Sequence, residues 1–490
     1  MLILLAWSTF VSKTTQPPSL PPKEEVKTDI IVKTDTPALP RPAVSSAIKF
    51  SQDKFEVIFS ESEAAIKEVI FKDYQSYRFP LKYGLLLEEP GFNFSKEALT
   101  ADSVTFIANN GNKKIMKRFI FHNSNYTIDL EIGIQNISTQ TIVIKTPLIL
   151  GVLNFSADPN QARFQDATVA QKDKIIHPGV HKDSSFGNLQ FLSIRDRYFC
   201  SIIEPPNENY AAFIKKISPR ESKIGLILPD IILAPGQQTN QKLHIYLGPQ
   251  ELRIIKQIKP EWTAVMYYGT FNFISQILLQ VIEFLYSLVH NWGWAIIVLS
   301  ILVYFILYPL TLKQMRSMKE MQALQPRIEE LKKAHQDNPQ KLNKEIMDLY
   351  RAHKVNPLGG CLPLVLQIPI FFALYQALIR AIALKGAHFL WIKDLSEPDR
   401  AWVMPFSIPM LGNEINILPI FMVVAMFIQQ KITSNTATMG QSSEQQKFML
   451  ILMPLMFLFI FYHMPAGLVL YWLVNSLLML SYQLRISRVR

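Results

Sequence analysis

The chain has two cysteines in 490 residues, Cys200 and Cys361, and no CxxC pair. That excludes a disulfide framework and the usual cysteine metal spacings, and the two residues read as buried free thiols. HExxH, GxSxG, Walker and GxGxxG patterns are missing, and no paired carboxylates fall inside an apolar run. A membrane enzyme is therefore disfavoured, with no cofactor and no metal expected. His290, His388 and His463 stand at the ends of apolar runs, where isolated histidines are ordinarily interfacial. No repeat relates 291–384 to 416–484, which disfavours a transporter built from internal repeats. A net charge of +11 suggests a nucleic-acid partner, but the basic residues are dispersed or placed beside apolar runs, so none is expected.

What is present divides the chain into two different polymers. Residues 14–260 are polar and mixed, whereas 261–490 are mostly apolar runs that need lipid as solvent. Within segment 1–13, Met1–Val11 is apolar but short, about 16 Å as a helix, and no basic residue precedes it. It reads as a truncated first span, a start-site error or the remnant of a signal anchor. Segment 14–45 contains seven prolines (17, 18, 21, 22, 37, 40, 42) and reads as an extended linker. Residues 46–255 read as an all-β domain. In 126–135, Tyr126, Ile128, Leu130, Ile132 and Ile134 share one face, while Thr127, Asp129, Glu131, Gly133 and Gln135 share the other. Shorter runs at 54–59, 104–107, 141–145 and 242–247 predict an antiparallel sandwich.

Charge then sets topology. Segment 256–290 contains a helix with a polar stripe at 272, 276, 280, 283, 287 and 290, suited either to the interface plane or to a span. Segment 313–356 carries ten Lys/Arg (313, 316, 319, 327, 332, 333, 341, 344, 351, 354) against six acids (320, 329, 330, 337, 345, 348). A short basic loop stays cytoplasmic. Only a flat 256–290 helix followed by a span at 291–312 places it there, and this puts the β-domain in the periplasm. Further spans are expected at 360–384, 416–431, 448–464 and 466–484, with 385–415 outside and the tail 485–490 inside. The repeat of Met315, Met318, Met321, Leu324, Ile328 and Leu331, and that of Leu342, Ile346 and Leu349, predict two helices joined at Asp337-Asn338-Pro339. This hairpin packs on itself, and its methionines also suit it to docking.

Tyr308-Pro-Leu-Thr311, Leu324-Gln-Pro-Arg-Ile328 and Lys354-Val-Asn-Pro-Leu-Gly-Gly-Cys-Leu-Pro363 resemble motifs of the YidC/Oxa1/Alb3 membrane protein insertases. So do Gln367-Ile-Pro-Ile-Phe371, Leu390-Trp-Ile-Lys-Asp-Leu395 and Pro465-Ala-Gly-Leu-Val-Leu-Tyr-Trp472, all in family order over 261–490. Tyr246-Leu-Gly-Pro249 and the large β-domain resemble the Gram-negative YidC form. The resemblance implies a polytopic α-helical membrane protein of the bacterial inner membrane. It has a five-helix core, a periplasmic β-supersandwich and a cytoplasmic C-terminus. It further implies a hydrophilic groove, open to lipid and cytoplasm, through which nascent membrane proteins are inserted and folded. The ribosome, the Sec translocon and membrane lipids are the implied partners.

The groove candidates are Ser300, Tyr304, Gln367, Tyr471 and Trp472. Packing or an interfacial aromatic belt is the alternative for Tyr471 and Trp472, and helix–helix bonding for Gln367. Many family members carry an arginine five residues before the Tyr-Pro proline, where this chain has Tyr304. Arg380 sits near the outer end of its span and is read as snorkelling to the interface. Without a groove arginine, capture of acidic substrate segments falls to Lys313, Arg316, Lys319, Arg327, Lys332 and Lys333 of the hairpin.

Overall fold

A computed structural model of the chain describes residues 46–122, 125–155, 162–335, 338–353, 355, 362–408, 412–437 and 443–488. Segment 1–13, the linker 14–45 and most of the motif at 354–361 lie outside the described residues.

The alternation read in 126–135 becomes the strand Thr127–Asn136, with Ile128, Leu130, Ile132 and Ile134 buried on one face. Its neighbours are Lys113–His122 and Gln238–Pro249, so Leu130 stands between Phe119 and Leu243. These strands lie within a nine-stranded sheet that runs from Lys174–Ile176 at one edge to Ser95–Leu99 at the other. A five-stranded sheet containing Pro147–Asn154 and a four-stranded sheet beginning at Ala47–Ser51 share the same hydrophobic core. All strand pairs among the described residues are antiparallel. The short runs expected at 54–59, 104–107, 141–145 and 242–247 fall on the strands Phe55–Ser60, Ser103–Asn109, Ile142–Ile144 and Gln238–Pro249.

Segment 256–290 is not one element. A short helix α1 (Leu252–Ile258) and a 3-10 turn (Pro260–Val265) are docked on the nine-stranded sheet. Trp262 is fully buried there and donates its indole N–H to Glu204, whose carboxylate also takes Lys259 at 2.7 Å. Only then does α2 (Asn272–Val289) begin. It packs against both α3 (Trp292–Ala323) and α6 (Leu362–Arg380). Its polar stripe is exposed at Gln280, Glu283 and Ser287. A polar residue that the stripe left out, Ser275, is buried and donates to the Ala373 carbonyl of α6 at 2.9 Å.

The hairpin differs from expectation in where it starts. No breaker lies between Pro309 and Leu324, so α3 runs unbroken past 312 to Ala323 and takes Met315, Met318 and Met321 with it. The hairpin proper is α4 (Gln325–Ala334) and α5 (Pro339–Ala352), capped by Asn338, which accepts from the Lys341 N–H at 3.0 Å. Leu324, Ile328 and Val355 form its small core, with Ile346, Leu349 and Tyr350 packed against them. The remaining helices are α7 (Ile417–Ala437), α8 (Ser443–Phe461) and α9 (Ala466–Arg488). Between α6 and α7 a small hairpin pairs Trp402–Ile408 with Gly412–Ile415.

The β-domain is fixed to the helices through the turn Arg195-Asp196-Arg197-Tyr198. Asp196 closes the turn by accepting from the Tyr198 and Phe199 N–H groups. Arg197 then donates to the Ile379 carbonyl at 2.8 Å, the Ser396 carbonyl at 2.8 Å and Glu397 at 2.9 Å. Arg380 does not snorkel. It is buried beneath the β-domain, 3.5 Å from Asp166 and 5.2 Å over the Phe164 ring. The domain covers the end of α6, so no open interface is within its reach.

Candidate functional site

An apolar helix bundle becomes chemically distinctive only where polar side chains from different helices meet. Residues 471, 475 and 482 of α9 recur at intervals of four and seven, which keeps them on one helix face over about 16 Å. Near one end of this row the buried Tyr471 hydroxyl accepts from the Gln367 amide of α6 at 2.9 Å. Asn475 donates back to the Tyr471 carbonyl at 2.9 Å. Near the other end Tyr482 meets Tyr308 of α3 edge-on, ring centres 5.6 Å apart. Tyr304 stands one turn back on α3, 6.1 Å from Tyr308, and is half-buried. The result is a neutral polar seam between α3, α6 and α9, with no charged side chain among these residues.

The structure divides the sequence-derived candidates. Gln367 and Tyr471 are brought into direct contact, and Tyr304 joins the tyrosine row. Ser300 is fully buried and donates to the Ile296 carbonyl one turn back in its own helix, at 2.7 Å, so it faces packing and not an opening. Trp472 belongs to an aromatic cluster with Phe371, Phe457 and Phe461, at 5.1, 5.7 and 5.3 Å. That is the packing alternative, because apolar rings from α6 and α8 surround the indole. Tyr482 and Asn475 were missed. Their spacing back to Tyr471, eleven and four residues, was the available signal.

Of the cations assigned to the hairpin, Lys313, Arg316 and Lys319 fall instead on the extension of α3, and Arg327, Lys332 and Lys333 on α4. Lys313, Arg316, Arg327 and Lys333 are exposed and Lys332 is half-buried. The side chain of Lys319 lies outside the described residues. Arg327 lies 3.2 Å from the His353 ring nitrogen, which ties α4 to the end of α5.

With this geometry in place, comparison with known proteins is direct. A family model described as 60Kd inner membrane protein matches residues 284–490, and one described as YidC periplasmic domain matches 88–281. The membrane protein insertase YidC of Syntrophobacter fumaroxidans is 34% identical over 391 residues, covering 77% of this chain and 69% of that protein. The YidC insertase of Geobacter metallireducens is 31% identical over 492 residues, covering 92% of this chain and 88% of the relative. Among solved structures, an active YidC insertase with its first transmembrane domain resolved covers 89% of this chain and 92% of its own, at 21% identity and a TM-score of 0.41. The chain belongs to the YidC family of membrane protein insertases, inner-membrane proteins with a periplasmic β-domain.

Proposed function

We propose that the seam between α3, α6 and α9 is the path along which this insertase moves nascent membrane proteins from cytoplasm to lipid. The observation that carries the reading is the line of neutral polar groups, Tyr304, Tyr308 and Tyr482 with the Gln367–Tyr471 pair, along mostly apolar stretches of three helices. A polar group in hydrocarbon without a partner costs about 2–7 kcal/mol, so a seam that offers hydrogen bonds lowers the barrier for a polar flank to cross. No covalent step or cofactor is required, since the apolar part of the client ends in lipid. Chemistry of an enzymatic kind is not part of this reading.

The same proposal orients the chain as a multi-pass protein with α2 in the interface plane and α4–α5 in the cytoplasm. The C-terminus then lies beside them, because Arg485, Arg488 and Arg490 follow the positive-inside rule. Lys313, Arg316, Lys319, Arg327, Lys332 and Lys333 then meet ribosome-borne, acidic client segments first. The protein serves clients alone or beside the Sec translocon. Because Tyr304 leaves the seam uncharged, attraction of acidic flanks rests on the end of α3 and the hairpin.

A photo-crosslinker at position 304 tests the reading. It should capture a stalled nascent membrane protein, and Tyr304→Ala should slow client insertion more than Arg380→Ala. Absence of any crosslink, or the reverse order of the two variants, would remove the seam from the path.

A further inference from the structure

The hairpin of Trp402–Ile408 with Gly412–Ile415 is held rigidly at its base and left bare along its blade. At the base Asp399 is buried and accepts from the Ile417 and Leu418 N–H groups at 2.8 and 3.0 Å, which caps α7, and from the Trp391 indole at 3.2 Å. Asn416 accepts from the Arg400 N–H and donates to the Tyr462 carbonyl, at 2.9 and 2.8 Å. Arg400 pairs with Glu414 at 2.9 Å. Beyond this base, Trp402, Val403 and Phe406 are 68%, 56% and 61% exposed. Residues 401–413 contain no charged side chain. Three large apolar side chains held bare on a fixed frame mark a surface that meets something.

We propose that this hairpin is an interfacial wedge whose partner is the lipid of the outer leaflet. Three observations select lipid. First, the blade is continuous with a lipid-facing surface. The helix α7 starts immediately after it, and Ile420, Phe421, Val424, Phe427 and Ile428 are exposed along one side of that helix. Trp391, also exposed, lies 6.2 Å from Phe421 and donates to Asp399 at the base of the hairpin. Second, the side is fixed. Ser396 and Glu397 of the same loop bind Tyr198 and Arg197 of the periplasmic domain, so the hairpin lies at the periplasmic end of the helices. Third, the composition is interfacial, since tryptophan and other aromatics concentrate at headgroup level.

Depth follows from the backbone. A two-stranded ribbon has two edges of unpaired N–H and C=O groups, which hydrocarbon does not tolerate. Pro405 removes one of those donors, but the rest need water or headgroups. The ribbon therefore lies in the headgroup layer, and Trp402 and Phe406 reach only the upper acyl chains. A wedge there widens the leaflet beside α7 without crossing it.

The test uses the full chain in vesicles of phosphatidylethanolamine and phosphatidylglycerol. An environment-sensitive fluorophore is attached at Phe406→Cys, and for comparison at Lys393→Cys in the same loop. Both are made in a Cys361→Ser background, with Cys200 fully buried. The probe at 406 should emit further to the blue than at 393. It should lose more emission to lipids spin-labelled near the headgroup than to lipids labelled deep in the chain, and little to aqueous iodide. Intrinsic emission provides a second measurement. The component lost in Trp402→Phe should be the one that shallow lipid quenchers remove. Iodide quenching at 406 equal to that at 393 would place the hairpin in water. Protection from both quenchers would mean that a second copy or another protein covers it. Either result overturns the proposal, and neither depends on whether clients are inserted.

Discussion

At the scale of single residues, the β-domain contains a group that its sequence gives no reason to bury. Lys117 is fully enclosed, and its ammonium donates to the Ala64 and Leu85 carbonyls at 2.6 Å each. Burial pulls it down to about 7, only partly offset by Glu63. An unfolded lysine titrates near 10.4. Between these values the unfolded chain binds more protons than the folded one, so this residue makes stability rise with pH from 7 to about 10. Removing the amine by Lys117→Met should abolish that slope. The stability of the variant relative to the parent should therefore fall by up to about 1.4 kcal/mol per pH unit across this window. The unpaired carbonyls left behind add a penalty independent of pH. Denaturant unfolding of the β-domain in the full-length protein at pH 7.5, 8.5 and 9.5 measures the difference. A flat difference would show that the folded site does not prefer the neutral amine.

At the scale of elements, helices here pack by close approach that local propensity does not foresee. Gly293 opens α3, and a Cβ built there would lie 2.1 Å from the ring of Phe389, which is buried in the loop after α6. Glycine is about 1 kcal/mol worse than alanine in a helix, so propensity alone predicts that Gly293→Ala stabilises. The contact predicts the opposite, a loss of about 1–3 kcal/mol from overpacking. Thermal unfolding in detergent should show a lowered midpoint, partly recovered by adding Phe389→Ala. A raised midpoint for the single variant would mean that Phe389 yields freely. What the sequence made legible follows the same division. Period-two alternation located the strand Thr127–Asn136 because one face is apolar and fully buried while the other carries polar, partly buried side chains, and apolar length located α3. The break at Leu324 has a local cause, Pro326 in the first turn of α4. The docking of Trp262 and the partner of Ser275 were not legible, because each depends on a residue distant in the chain. Of the candidate site, Gln367 and Tyr471 were singled out separately, but their bond spans 104 residues. Tyr482 was marked only by its helical spacing from Tyr471, and its partner Tyr308 lies far off in the chain.

At the scale of the whole molecule, the question is how a periplasmic sandwich stays in register with a membrane bundle. Interfaces between domains in one chain are ordinarily polar and permit relative motion. This one has a buried polar pin. Ile379 is the penultimate residue of α6, so its carbonyl is among those that a helix end leaves without an intrahelical partner. Arg197 satisfies it, places a cation at the negative end of the helix, and binds the loop on both sides through Ser396 and Glu397. Removing this side chain strands two carbonyls and leaves the Glu397 carboxylate with only the looser Arg400 pair at 3.7 Å. Breaking a buried pair costs about 3–5 kcal/mol, and because Glu397 is 34% exposed the lower end applies. Arg380 makes a different case. Its only ion pair among the described residues is at 3.5 Å, and two of its guanidinium nitrogens have no hydrogen-bond partner there. An apolar replacement of similar length forfeits little, since a poorly satisfied buried charge is readily exchanged for packing. Arg197→Met should therefore raise amide exchange across 376–397 while leaving strands Thr127–Asn136 and Gln238–Pro249 protected. Arg380→Met should leave both regions near the parent. Hydrogen exchange read by mass spectrometry on the reconstituted protein separates the two. Equal loosening by both variants would mean that charge at the end of α6, and not the geometry of the Arg197 pin, holds the domain in place.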